Sequence, residues 1–153
     1  MRQKLLWNNA EVTLTDRSVS YVPSVGTIRK IITPIVLYDE KYSKSVSLDA
    51  IWDTGASRVY IRPKIAAALG LKKIGEGNVV SAIRSEQKTE KYAGYLKFNY
   101  GPPIHTEFEA FDIIGADCLI GMSFFNKGTA VISHDSKGRQ KFKFTIINAD
   151  GKV

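Results

Sequence analysis

An apolar strand that runs into a carboxylate on a tight turn is the feature that most limits what this chain can become. Val46, Leu48, Ala50 and Trp52 alternate with Ser47, Asp49 and Ile51, the two-residue period of a half-buried strand. The strand leads into Asp53-Thr54-Gly55-Ala56-Ser57. Asp and Gly favour a tight turn, and the Thr54 hydroxyl can lock it. Gly55 has no Cβ to keep a ligand backbone away, while Ala56 and Ser57 keep the exit narrow. Taken alone, Asp53 is also what an ordinary polar turn contains.

Around this stretch the chain is a series of alternating runs broken by turn residues, which predicts an all-β domain. Residues 27–38 are rich in Ile and Val but include Pro34. Proline has no N–H for a ladder, so this strand belongs at an edge or bulges there. With a turn at 39–43 it forms a hairpin that delivers Asp53. Pro63 suits the first position of a helix. Ile65, Ala68 and Leu69 then fall on one face and Gly70 ends it, predicting about two helical turns. Tyr92, Gly94, Leu96, Phe98 and Tyr100 alternate, Gly101-Pro102-Pro103 turns, and Ile104, Thr106, Phe108 and Ala110 return as a second hairpin. Residues 129–133 and 141–147 form the last one, turning at 135–138. Residues 1–26 read as an N-terminal arm, with a strand at 11–15 and a connection from Tyr21 to Gly26. The arm either wraps the core or adds to a dimer sheet. Residues 27–147 are the domain proper, and 148–153 a loose tail.

At 153 residues the chain can hold one domain with a sizeable core. Leu5-Leu6-Trp7 is too short for the apolar part of a signal peptide, and no apolar run approaches the ~20 residues of a membrane span. The chain therefore reads as cytoplasmic, with no membrane partner. Cys118 is the sole cysteine, which fits a reducing compartment. Beside Asp117 and Leu119 it reads as a buried thiol, not a nucleophile. The net charge of +7 raises the question of nucleic acid. Lys and Arg are spread along the chain, however, and are densest at 137–143 on a hairpin with alternating faces. A solvated basic surface is expected, and no nucleic-acid partner. His105 and His134 lack Cys or paired carboxylates at ligand spacing, so no metal site is expected. Asp112 and Asp117 read as loop or capping groups. The aromatics from Tyr92 to Tyr100 read as sheet core.

Asp53-Thr54-Gly55-Ala56-Ser57 on its strand, the helix behind it, and Leu119-Ile120-Gly121-Met122-Ser123-Phe124-Phe125 far downstream together resemble the two signatures of retropepsin-like aspartic proteases. The resemblance covers residues 28–147. It implies an all-β closed barrel with one or two short helices. In it, the strand through Leu119, Ile120 and Gly121 threads beside the catalytic turn and holds it. It also implies that Asp53 is catalytic, with Ala56 and Ser57 supporting the turn. Thr54 would brace the turn across a two-fold axis, and the Gly55 carbonyl would accept from substrate backbone. A flap, the hairpin that closes over substrate, falls between Ile74 and Glu90. Its tip lies near 81–85, and Ser81, Ala82 and Ile83 face the substrate together with Trp52. Family flaps usually carry glycines at the tip; here there are none. No cofactor or metal is implied.

Carboxylate-driven peptide hydrolysis needs two carboxylates that share a proton. The chain has one Asp-Thr-Gly. Asp135-Ser136-Lys137-Gly138 carries an extra residue and cannot make the same turn. One signature in a short chain implies a homodimeric aspartic endopeptidase with one Asp53 per subunit, acting on a peptide or protein substrate. Many viral members pair an acidic residue after the signature Ala with an Arg after the later Gly. Ser57 and Met122 stand at those positions here, so the dimer contact is expected from the last hairpin or the N-terminal arm. Gly121-Met122 looks closer to cellular and bacterial members, with Ser123 where they have Asp. The alternative is a dimer of the same fold that binds peptides or proteins without cleaving them. The glycine-free tip and the missing pair favour that alternative.

Overall fold

The computed structural model describes residues 2–7, 10–15, 17–24, 27–80, 86–98 and 101–147. In chain order the elements are β1 (Arg2–Trp7), β2 (Ala10–Thr15), β3 (Ser18–Pro23), β4 (Ile31–Tyr38), β5 (Ser45–Trp52), β6 (Val59–Ile61), α1 (Pro63–Leu69), β7 (Lys73–Val79), β8 (Gln87–Phe98), β9 (Ile104–Ala110), β10 (Cys118–Ile120), α2 (Met122–Phe125), β11 (Gly128–His134) and β12 (Gln140–Ile146). One sheet runs β4-β5-β10-β6-β9-β8-β7, and β4 also pairs with β8. That extra pairing closes six strands into a barrel and leaves β7 outside it. The second sheet runs β1-β2-β3-β12-β11. A closed all-β barrel with two short helices is the architecture expected from the two signatures.

Two local features close the barrel. The β4–β8 ladder begins at Ile35↔Phe98, one residue past Pro34, while the β4–β5 register runs through Pro34↔Asp49 without a break. No bulge is needed at Pro34, which lies in an unbroken pairing with β5. At the other end of that ladder, a Cβ on Gly94 would lie 2.5 Å from the Tyr38 carbonyl oxygen. Only glycine lets the two backbones approach that closely.

The helix α1 begins at Pro63 and ends at Gly70, whose φ of 60° is left-handed. The Gly70 and Leu71 N–H groups cap the carbonyls of Ala67 and Ala66. The face it buries is Ile65, Ala66 and Leu69; Ala68 points outward.

The N-terminal arm differs from its expected form. Residues 18–23 are strand β3, paired with both β2 and β12, not a connection. Ala10, Val12, Leu14, Val19 and Tyr21 belong to the same core cluster as Phe142, Phe144 and Ile146. The arm is thus a structural layer of the core.

Trp52 also requires a correction. It is 6% exposed, so it cannot line a cleft. Its ring lies 5.1–5.9 Å from Phe98, Phe124, Phe125, Phe142 and Phe144, and its Nε1–H donates to Thr33 Oγ1 at 3.0 Å. The reason is the pleat: Trp52 shares a face with Ala50, and that face is the seam between barrel and second sheet.

Candidate active site

Asp53 follows the last residue of β5, where β10 runs parallel to β5 with Ile120 beside Trp52. The Asp53 N–H donates to the Ile120 carbonyl at 2.9 Å, and the Ala56 N–H closes the turn on the Asp53 carbonyl at 3.1 Å. From the other side, the Met122 N–H bonds the Ala56 carbonyl at 2.8 Å and the Ser123 N–H bonds the Ser57 carbonyl at 3.0 Å. The two signatures are therefore stitched together by backbone. The stitching depends on Gly121, where a Cβ would sit 2.1 Å from the Arg58 carbonyl oxygen and 2.5 Å from that of Ala56.

Gly55 acts directly on the carboxylate. Its N–H donates to Asp53 Oδ1 at 2.8 Å, and a Cβ there would press on the same oxygen at 3.1 Å. Asp53 Oδ2 has no partner among the described residues. Thr54 lies exposed on the turn. The Ser57 hydroxyl is 2.9 Å from that of Tyr60.

The turn, Tyr60, Phe111 and Leu119, together with residues 78–80 at the end of β7, line an open pocket of about 430 Å3. Phe111 meets the Tyr60 ring edge-on at 5.1 Å. Asp53 is the only carboxylate among the described lining residues. Two grooves of similar size lie elsewhere, one beside the β4–β5 turn and one beside Pro63, and neither includes the turn. Of the expected site residues, Asp53, Gly55, Ala56, Ser57 and Leu119 converge here. Ile120 and Gly121 serve through their backbone. The β7–β8 hairpin stands where the flap was expected. Ser81, Ala82 and Ile83 lie outside the described residues, as do Tyr100 and the tail 148–153.

Glu109, which has no sequence signal of its own, joins the site to the base of that hairpin. It is 7% exposed and lies opposite Tyr60 in the β6–β9 pair. Its Oε2 accepts from Thr89 Oγ1 at 2.9 Å. Its Oε1 lies 3.8 Å from Arg58 Nε and 3.9 Å from Lys91 Nζ. Gly77 crosses above, where a Cβ would come within 2.9 Å of Thr89 Oγ1 and 3.2 Å of Glu109 Oε2.

The remaining candidates have structural roles. Asp135 Oδ1 accepts from the Lys137 and Arg139 N–H groups at 2.9 and 2.8 Å, and Oδ2 accepts from Arg139 Nε at 2.8 Å. It organises the β11–β12 turn. Asp117 pairs with Arg62 and Lys64 at 3.4 and 3.5 Å. Cys118 is fully buried, and burial, aided by the charge of Asp117, pushes its thiol far above the ordinary range, so it stays protonated. His105 Nε2 lies 2.7 Å from Glu40 Oε1 at the surface. Tyr95 is half-buried and stacks on exposed Tyr42, so the aromatics of β8 are not all core.

No family model and no curated protein matches the sequence. Among solved structures, the fold is similar to the solution structure of the simian foamy virus (mac) protease. The identity is 17%, the match covers 63% of this chain and 92% of that one, and the TM-score is 0.44. It is also similar to the crystal structure of a retropepsin-like aspartic protease from Rickettsia conorii. There the identity is 15%, the coverage 76% and 95%, and the TM-score 0.44. What the Asp53 turn can do follows from its own geometry.

Proposed function

We propose that the chain is an aspartic endopeptidase that works as a homodimer, each subunit contributing one Asp53 to a shared site. The observation that carries this reading is the Asp53 turn. Its backbone is fixed from both sides, one carboxylate oxygen is held by the Gly55 N–H, and the group opens into a pocket with no second carboxylate among the described lining residues. A fixed carboxylate needs no reorganisation during reaction. One carboxylate cannot act as both base and acid in a single step. With two, one takes a proton from water as the water attacks, while the other, protonated, donates to the scissile carbonyl oxygen. Two carboxylates a few ångströms apart cannot both ionise cheaply, so the pair keeps a proton and titrates in two steps.

Thr54, exposed on the turn, would bond across the axis. An extended peptide would lie between the turn and the β7–β8 hairpin, with an apolar side chain against Tyr60, Phe111 and Leu119. A cytoplasmic site of action belongs to the same proposal and is supported by the unbridged, buried Cys118. No helix among the described residues is long and apolar enough to cross a membrane.

The test is digestion of a peptide library by wild type and Asp53→Asn, with a transition-state inhibitor of aspartic proteases as control. Wild type should cleave and the inhibitor should stop it. Asp53→Asn should be inert yet sediment and melt like wild type. The rate should fall on the alkaline side, as the shared proton leaves. Cleavage by Asp53→Asn would contradict the assignment. A wild type that binds peptides and releases them intact would favour the binding dimer.

A further inference from the structure

The turn between β4 and β5, the end of α1 and the start of β7 enclose a groove of about 450 Å3 that does not include the Asp53 turn. Its floor is apolar. Leu71 packs on the core cluster, and Ile74 is 50% exposed.

The wall made by the β4–β5 turn is strained and held in place. Tyr42 has a φ of 54° and is the only residue other than glycine with a positive φ among the described residues. A bulky side chain keeps that left-handed backbone only where its surroundings impose it, and such strain gathers where a ligand is gripped. Here the surroundings are explicit. The Tyr42 N–H donates to the Asp39 carbonyl at 3.1 Å. Its ring stacks on Tyr95 at 4.6 Å and meets Tyr38 at 5.6 Å. Asp39 closes the turn from within: Oδ1 accepts from the Lys44 N–H at 2.8 Å, and Oδ2 accepts from the Ser43 hydroxyl. A wall fixed in advance costs a ligand little ordering.

The charges on that wall are unevenly engaged. Both carboxylates of the lining have partners inside the protein, Asp39 in the turn and Glu40 at 2.7 Å from His105 Nε2. Lys41, Lys44 and Lys72 line the same groove, but the lysine ion pairs among the described residues use Lys4, Lys64, Lys73 and Lys91. The Lys44 ammonium stands over the end of α1, where a Cβ on Gly70 would lie 3.4 Å from its Nζ. Three free ammonium groups around an apolar floor call for several anions and one apolar group. A single carboxylate, as on a fatty acid, balances one lysine of the three. A peptide with acidic residues on both sides of an apolar one balances them all and fills the floor.

We propose that this groove binds an acidic peptide segment, an apolar side chain flanked by aspartate or glutamate. The site is separate from the Asp53 pocket, which lies at the other end of β7, and it does not depend on the proteolytic reading.

Amide chemical shifts of the full chain, titrated with the end-blocked peptide Gly-Asp-Glu-Leu-Glu-Asp-Gly, test this. Shifts should move at residues 39–44 and 70–74, and added salt should weaken binding several-fold. Replacing the peptide's Leu by Ser should weaken it too. Lys44→Glu should lower affinity about tenfold or more. Lys137→Glu makes the same charge change on the exposed β11–β12 turn and should leave affinity as in wild type. Shifts confined to residues 53–60 and 78–80 overturn the proposal, as does an equal loss in both lysine variants or a peptide that does not bind. Dodecanoate that moves residues 39–44 and 70–74 when the peptide does not would also overturn it, in favour of a lipid site.

Discussion

The Asp53 turn and the β7–β8 hairpin face the same pocket but are held by opposite means. The turn is fixed by short backbone hydrogen bonds to Ile120, Met122 and Ser123 and by an approach at Gly121 that leaves no space for a single methyl group. In the hairpin, β7 pairs with β8 alone among the described residues, and the side-chain ties of Lys73 and Glu90 lie at the surface. Lys73 Nζ sits 2.7 Å from Glu76 and 3.5 Å from Glu90, and the Tyr92 hydroxyl bonds Glu90. Exposed pairs of this kind contribute little and are screened by salt. The difference teaches where rigidity is needed. On the proposed reading, a carboxylate that must meet its partner would need close-packed backbone, while a cover that must open would need weak contacts. Glu109 stands at the junction, touching Arg58 beside the turn and Thr89 and Lys91 in the hairpin.

The sharpest way to break this comparison is Gly121→Ala. A methyl group 2.1 Å from a backbone oxygen forces β10 away from the turn, at a cost of about 3 kcal/mol or more. Chemical denaturation should show the loss. Wild-type stability in that variant would mean the turn is not held as described.

A smaller effect is expected at the junction. Glu109→Ala leaves the Thr89 hydroxyl without its buried acceptor, costing about 1–3 kcal/mol. Arg58 is half exposed, so solvent screens that part of the loss. Glu109→Gln should recover most of it, since an amide oxygen can still accept from Thr89. Amide exchange should speed up in β7 and β8 and stay slow in β5 and β10. Equal acceleration in all four strands would erase the distinction.

The smallest effect concerns pH. Hydrogen bonding to Lys73 holds the Glu76 carboxyl below its ordinary range, and the Tyr92 hydroxyl, followed by the charge of Lys73, does the same for Glu90. A carboxylate with a depressed folded pKa stabilises above its unfolded pKa, and that stability is lost as pH falls through the folded value. The Lys73 pKa is raised, by its bond to Glu76 first, so its share is lost only on the alkaline side. Amide exchange in the hairpin, referenced to intrinsic rates, should therefore rise below about pH 4 while the turn stays protected. Lys73→Ala should reproduce that loosening at neutral pH without moving the melting temperature.

Much of the site was legible because it is local. A period-two run ending in Asp53-Thr54-Gly55, a Pro63–Gly70 bracket around a helix, and turn residues between hairpins are all written in adjacent residues. β10 is three residues long, too short to show a period, and only its likeness to a second signature marked it. What stayed hidden depends on partners far away in sequence. Trp52 beside the signature read as a cleft wall until Phe142 and Phe144 closed around it. Residues 21–23 read as a connection because Pro23 and Gly26 dominate the local pattern, yet pairing with β2, and of Tyr21 also with β12, overrides it. Glu109 sits where an alternating strand shows a face to water. Gly77 and Thr89 cross over that face and bury it.

The proposed working centre needs an Asp53 from each of two copies, and subunit mixing reads out that requirement. Wild type and Asp53→Asn are equilibrated at equal concentration and assayed against a single cleaved peptide. If both carboxylates are required, mixed dimers are silent, and each dimer scores only when both members are wild type. The rate then falls to about a quarter of that of the same total amount of wild type. A rate of about a half would mean that each copy works alone, and the shared site would be wrong.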